Sequence, residues 1–334
     1  MQLRPGQKPP LGVVIDFDLR GIDDALALAL LHGLDGKREA RVAAVSVSRP
    51  SLKAAGFCDA VSKFYAGASA QFMRTLPVGM ELQGKPEPEP MLVSVLARPE
   101  YKTEIQQLND TADPAALIRN AFSAHHDGNC TAILAGPATN FLKALALPRV
   151  RDLAAAKVRL LTVVPDPTDL ENTNKLLADW PGEVVVVSPE IGGQIRYPGS
   201  SIETDFAWTQ AHPVVDAYKA YQTMPYDAPT GTLAAVLHAV RPHEKFFKLS
   251  DPGSVNVGQG GQLVFSPSAG GKHRQLLYDP AQKERVVKVY TEIVSAKPVP
   301  RMPRMRPPDA NKPKPDATKP AEAKPAEAKP PTGL

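Results

Sequence analysis

The chain has 334 residues, 43% of them apolar, enough for one large α/β domain or two small ones. Two cysteines, Cys58 and Cys130, exclude a disulfide framework and a cysteine-built metal site. Residues 297–334 carry nine Lys/Arg and four Asp/Glu of the net +4, which leaves residues 1–296 at about −1 and without a basic face for nucleic acid.

No apolar run reaches the length of a membrane span, so no membrane partner is expected. Residues 1–10 are a polar, proline-containing extension without the apolar core of a signal peptide, and a cytoplasmic location is the favoured expectation. Val13 to Ile15 reads as a buried strand that ends at Asp16 and Asp18. Gly21 makes a tight turn, and Asp23 and Asp24 open an Ala/Leu-rich helix. Asp23 and Asp24 alone read as acids complementing a helix dipole. Four carboxylates within nine residues repel one another, and each raises its neighbours' pKa unless a cation neutralises them. A hard cation with oxygen ligands, Ca²⁺ or Mg²⁺, suits such a cluster.

Arg41 to Val47 is a second strand, followed by a helix over 52–66, and a third short strand covers 76–79. Residues 84–112, with Pro86, Pro88 and Pro90, read as a surface excursion holding one short helix. Pro114 opens a helix to about His125. His125 and His126 are adjacent on it and point apart, which argues against a shared metal. Thr131 to Ala135 is a buried strand. Gly136-Pro137 turns it into a helix whose first turn holds Thr139 and Asn140. Further strands run from Lys157 to Val164 and from Gly182 to Ser188. Residues 254–266 form a hairpin around Gly258-Gln259-Gly260-Gly261, and a last amphipathic helix covers 280–295. From Lys297 the Pro/Lys/Ala/Glu composition cannot bury enough apolar surface to fold, so 297–334 is expected to be a disordered tail behind a domain at 11–296.

Strands alternating with helices predict an α/β fold, a mainly parallel sheet with helices on both faces. Asp16, Asp18 and Thr139 all follow strands, where such sheets place their ligands.

Asp16-Phe17-Asp18, a short glycine loop and Asp23-Asp24-Ala25-Leu26-Ala27 resemble the opening of the inosine-uridine-preferring nucleoside hydrolases. Gly136-Pro137-Ala138-Thr139-Asn140 resembles that family's Gly-Pro-Leu-Thr-Asn. Residues from Ser188 to Arg241, including Met224-Pro225-Tyr226-Asp227, resemble a divergent bacterial subgroup. The resemblance implies a nucleoside-hydrolase-like, Rossmann-like single domain and a Ca²⁺ ion held by Asp18, Asp24, the carbonyl of Thr139, and Asp227. It implies that Asp18 takes the proton of the attacking water. It places Tyr226 where many relatives have the histidine that protonates the leaving base. Asp16, Asp23 and Asn140 fall on the substrate side. The implied partner is a nucleoside or related riboside, and a homo-oligomer is a possible assembly.

The chain departs from the family pattern in three places. Leu19-Arg20-Gly21-Ile22 has one residue more than the usual loop, Pro50-Ser51 stands where a Gly-Asn pair lines the sugar site, and the ribose-binding Glu-x-Asn is missing, with only Glu171, Asn172 and Asn174 near its place. These losses leave open a relative that binds a nucleoside or sugar without turning it over. A third reading is a phosphatase of the haloacid dehalogenase type, with Asp16 as nucleophile and Asp18 as acid/base. Arg20 stands where that motif wants Thr or Val, and Asp23-Asp24 and Tyr226-Asp227 go unexplained.

Overall fold

The computed structural model describes residues 9–67 and 76–299. The predicted tail, apart from its first residues, and the start of the N-terminal extension lie outside the described residues. In chain order the elements are β1 (Leu11–Phe17), α1 (Ile22–Gly36), β2 (Ala40–Val47), α2 (Leu52–Ala66), β3 (Val78–Met80), α3 (Pro90–Leu96), α4 (Pro114–Ser123), β4 (Cys130–Ala135), α5 (Thr139–Ala146) and α6 (Val150–Lys157). They continue with β5 (Val158–Val163), α7 (Leu170–Asp179), β6 (Val184–Val187), α8 (Pro189–Gln194), β7 (Arg196–Tyr197), α9 (Gly199–Thr204), α10 (Pro213–Tyr221), β8 (Ala228–Pro229) and α11 (Gly231–Val240). The last are β9 (Lys248–Leu249), β10 (Gly253–Val257), β11 (Leu263–Pro267), β12 (His273–Leu277) and α12 (Lys283–Val294).

The expected mainly parallel sheet is present. Its order is β11-β10-β12-β6-β5-β4-β1-β2-β3, with β9 beside β12. The run from β12 to β3 is parallel throughout, and β9, β10 and β11 add an antiparallel edge. The hairpin expected around Gly258 to Gly261 is β10–β11. Sequence reading missed β12, whose His273-Arg274-Gln275 looks too polar for a strand in mid-sheet. It pairs with Val184 to Val187 and links the hairpin to the parallel strands.

Strand β1 is buried along its whole length, as a parallel strand covered on both faces must be. Val13, Ile15 and Phe17 pack into the apolar layer that contains α1, α2, α11 and α12. Val14 faces the other way, into the layer of Phe122 on α4, Phe141 on α5 and Trp180. Helix α1 is apolar nearly all round and almost entirely buried, the signature of a helix inside a core. Gly33 lets it approach α12, since a Cβ there would meet the Ile293 carbonyl at 2.4 Å. Among the described residues, no helix is long and apolar enough to cross a membrane.

The strand order reverses at β1. The chain runs outward from β1 through β2 to β3, then returns to place β4 on β1's other side. The carboxyl ends of β1 and β4 therefore form the switch point, the place at which open α/β sheets bind ligands.

Candidate functional site

Strand alternation sends Asp16 to the same face as Val14, toward α5. There Asn140 Nδ2 donates to Asp16 Oδ2 at 2.7 Å, across the switch point. The Ser46 hydroxyl, opposite Asp16 in the β1–β2 register, donates to the same oxygen. The other oxygen, Asp16 Oδ1, is buried and has no hydrogen-bond partner among the described residues, and the same holds for Asn140 Oδ1 nearby. Burial pushes the Asp16 carboxyl up to about 7, against the opposing pull of the Ser46 and Asn140 hydrogen bonds. Gly136 has no side chain because the turn after β4 lies against β1: a Cβ there would stand 2.7 Å from Ser48 Oγ and 3.0 Å from the Asp18 amide.

The lengthened loop after β1 closes by putting Leu19 in the left-handed region, at φ 55°. For a bulky residue this costs about 1–2 kcal/mol. It is offset by full burial of the Leu19 side chain and by the Leu19 amide, which donates to Asp24 Oδ2 at 3.0 Å. The turn brings Arg20 back over Asp18. The Arg20 amide donates to Asp18 Oδ1 at 2.8 Å and its guanidinium pairs with Asp18 Oδ2. The rest of that guanidinium grips Glu87 side-on, Nε to Oε2 at 2.7 Å and Nη2 to Oε1 at 2.8 Å.

A second arginine enters from the end of β2. Arg49 Nε donates to the Asp18 carbonyl, and its Nη1 pairs with Glu89. Ser51, the N-cap of α2, accepts from the Ala54 amide and donates to Glu89. The position expected to line a sugar site therefore anchors a buried ion pair.

On the other side of the loop, the Thr232 hydroxyl at the start of α11 lies 2.8 Å from Asp24 Oδ1 and 3.2 Å from Asp23 Oδ2. Burial raises both carboxyls, Asp24 well above the usual range, where the charges of Asp23 and Asp18 add to the effect.

The structure thus brings Asp16, Asp18, Asp23, Asp24 and Asn140 to one sheet edge, and places Thr139 there as the first residue of α5. It does not add Asp227 to a shared donor set. Asp227 is exposed, and its Oδ1 accepts from the Gly199 amide on α9 at 2.8 Å. The Tyr226 hydroxyl donates to the Tyr218 carbonyl at 2.6 Å while the two rings stack at 4.3 Å, so its proton is engaged by the backbone of α10. Asn174 bonds the Val257 backbone in both directions, at 2.9 and 2.7 Å, and Asn172 donates to Asp169 at 2.7 Å. These two asparagines fasten α7 in place.

Calcium takes six to eight oxygens at 2.3–2.6 Å. Both oxygens of Asp18 and both of Asp24 already accept hydrogen bonds from the chain itself. Among the described residues, no group of three or more His, Cys, Asp or Glu is placed to hold a metal ion. As arranged here, Asp18, Asp24 and Asp227 do not fit a calcium ion.

Sequence reasoning missed Ser46, Arg49, Glu87, Glu89 and Thr232. Ser46 and Arg49 lie at the end of β2, beside β1, and that position is their one sequence signal. Glu87 reaches Arg20 across 67 positions and Thr232 reaches Asp24 across 208, separations at which sequence pattern carries no signal.

No protein-family model and no curated protein matches the chain. Solved structures match it by shape. A plant nucleoside hydrolase, PpNRh1, superposes with a TM-score of 0.64 at 18% identity, over 86% of this chain and all of the other. An inosine-uridine preferring nucleoside hydrolase from Bacillus anthracis gives 0.61 at 14% identity, over 85% and 99%. The type III effector XopQ, solved with adenosine diphosphate ribose, gives 0.59 at 13% identity, over 86% and 94%. The chain has the nucleoside hydrolase fold, a mainly parallel α/β sheet with its carboxylates at the switch point.

Proposed function

We propose that the protein hydrolyses the N-glycosidic bond of a small ribosyl compound, a nucleoside or related N-riboside, at the carboxyl ends of β1 and β4. The observation that carries this reading is the 2.7 Å contact of Asn140 with Asp16 at the switch point, beside Asp18, Asp23 and Asp24. Glycosidic cleavage passes through an oxocarbenium-like state, and clustered carboxylates favour that positive charge. Asp18 takes the proton of the attacking water once its pairing with Arg20 opens. Asp23, less buried than Asp24, faces the sugar hydroxyls. The nucleoside hydrolases among the shape matches support the substrate class.

The test is release of reducing sugar from inosine, uridine and their 5′-monophosphates. Measurable turnover is expected, at least about a hundredfold below the diffusion ceiling in kcat/KM, because altered sugar contacts worth ~3 kcal/mol slow the reaction by that factor. Asp18→Asn is expected to abolish it. A second reading, binding of a ribosyl ligand without turnover, is favoured by the Arg20–Asp18 pair, which occupies the carboxylate that a base needs. XopQ, of the same fold, was solved with adenosine diphosphate ribose, which supports a ribosyl compound as the ligand class. Calorimetric binding of a riboside with no sugar released decides for it.

A further inference from the structure

We propose that this chain neutralises its carboxylate cluster with its own guanidinium, Arg20 held in place by Glu87, and that the pair excludes a divalent cation from Asp18. The inference stands whether or not the site turns over a riboside, because it concerns only what balances the charge.

Three observations carry it. The first is the loop. One extra residue, with Leu19 left-handed, turns the Arg20 side chain back onto the carboxylate that precedes it. The second is the clamp. Arg20 uses three nitrogens at once, Nη1 on Asp18 and Nε and Nη2 on Glu87, so its planar fork is fully engaged. A lysine offers a single point charge and cannot reproduce that geometry. The third is the segment that carries Glu87. Pro86-Glu87-Pro88-Glu89-Pro90 alternates proline with acid. Proline fixes its own φ and pushes the preceding residue toward extended conformations. The two glutamates therefore leave an extended strap two residues apart, and each meets an arginine: Glu87 takes Arg20, and Glu89 takes Arg49.

Both arginines end on Asp18. Arg20 contacts its carboxylate and Arg49 its carbonyl. A dication entering between Asp18 and Asp24 meets a guanidinium already on one of the two carboxylates. The Arg49–Glu89 pair is buried, with side chains 7% and 9% exposed, whereas Arg20 and Glu87 are 41% and 42% exposed. Arg20 is thus the arm that can be removed while the strap stays anchored.

The experiment compares the full-length wild type with Arg20→Ala and Glu87→Gln, using calcium chloride alone, with sodium chloride matched for ionic strength. The readouts are melting temperature and isothermal titration, and neither involves a substrate. A ligand that binds the folded form raises the melting temperature by linkage. For the wild type, 5 mM calcium is expected to shift it by less than about 1 °C, with no saturable heat. Arg20→Ala leaves the Asp18 carboxylate without its guanidinium partner, beside Asp23 and Asp24, and is expected to gain a saturable shift of about 3 °C or more. Glu87→Gln keeps Arg20 but loosens its clamp, and is expected to fall between the two. A saturable, stoichiometric calcium response in the wild type overturns the proposal. So does an Arg20→Ala protein that folds and stays as unresponsive as the wild type. Sugar release is scored separately, so loss of the N-riboside reading and loss of this one are told apart.

Discussion

Asp16 and Asp18 stand two residues apart at the end of one strand, and the fold handles their charges in opposite ways. Asp16 lies on the α5 side of the sheet, fully buried, among neutral donors: the Ser46 hydroxyl and the Asn140 amide. Among the described residues no cation pairs with it, and burial pushes its carboxyl up to about 7. Asp18 lies just beyond the strand, where two guanidiniums from the loop and from β2 converge. An apolar setting tolerates a carboxylate either by giving it a proton or by giving it a counter-ion, and one turn of chain separates the two solutions.

Three measurements break or sharpen that contrast. The largest effect is expected on the counter-ion side. Arg49→Met strands Glu89 as a buried, unpaired carboxylate and removes a donor from the Asp18 carbonyl. It should cost about 3–5 kcal/mol in urea denaturation. Arg20→Met, at the exposed arm, should cost about 1 kcal/mol or less. Equal costs would show that burial does not separate the two arms.

The next effect is a pH dependence on the proton side. The folded-state value for Asp16 lies above its ordinary 3.8, so the group's contribution is complete below about pH 4 and is lost as the pH rises through 7. Between pH 5 and pH 8 that loss is about 3 kcal/mol. Asp16→Asn should remove it, leaving the variant's stability flatter across this range than the wild type's. Parallel curves for the two proteins would remove Asp16 as the titrating group.

The smallest effect tests the donor. Asn140→Ala takes away the amide that faces Asp16 and should cost about 2 kcal/mol at pH 8, where the carboxylate is charged. At pH 5, where the acid is protonated, the cost should be smaller. A pH-independent cost would mean that Asn140 acts through its contact with the Val47 carbonyl, 3.3 Å away.

The local patterns in the chain were legible because each depends on neighbours in sequence. The apolar run of β1, the Ala/Leu face of α1, the helix over 52–66 and the glycine hairpin of β10–β11 follow from periodicity and turn chemistry. The alternation of strands and helices was enough to predict a parallel sheet, and the placement of Asp16, Asp18 and Thr139 at strand ends was enough to predict that they share an edge. The gathering of Asp16, Asp18, Asp23 and Asp24 was legible for the same reason: a strand end and a helix start joined by a short glycine-containing turn hold them together.

Which side chains meet that cluster follows from tertiary contacts alone. The family resemblance implied a metal closed by Asp227; in the structure Asp227 accepts from the Gly199 amide of α9, and the Tyr226 hydroxyl donates to the Tyr218 carbonyl of α10. Glu87 and Glu89 sit in a proline-rich excursion that gives no local sign of its destination. They find Arg20 and Arg49 only because β3 and α3 bring that strap back across the carboxyl ends of β1 and β2. A charge is specified by its residue type, but its partner is specified by which surfaces the sheet order brings together, and that order is a property of the whole chain.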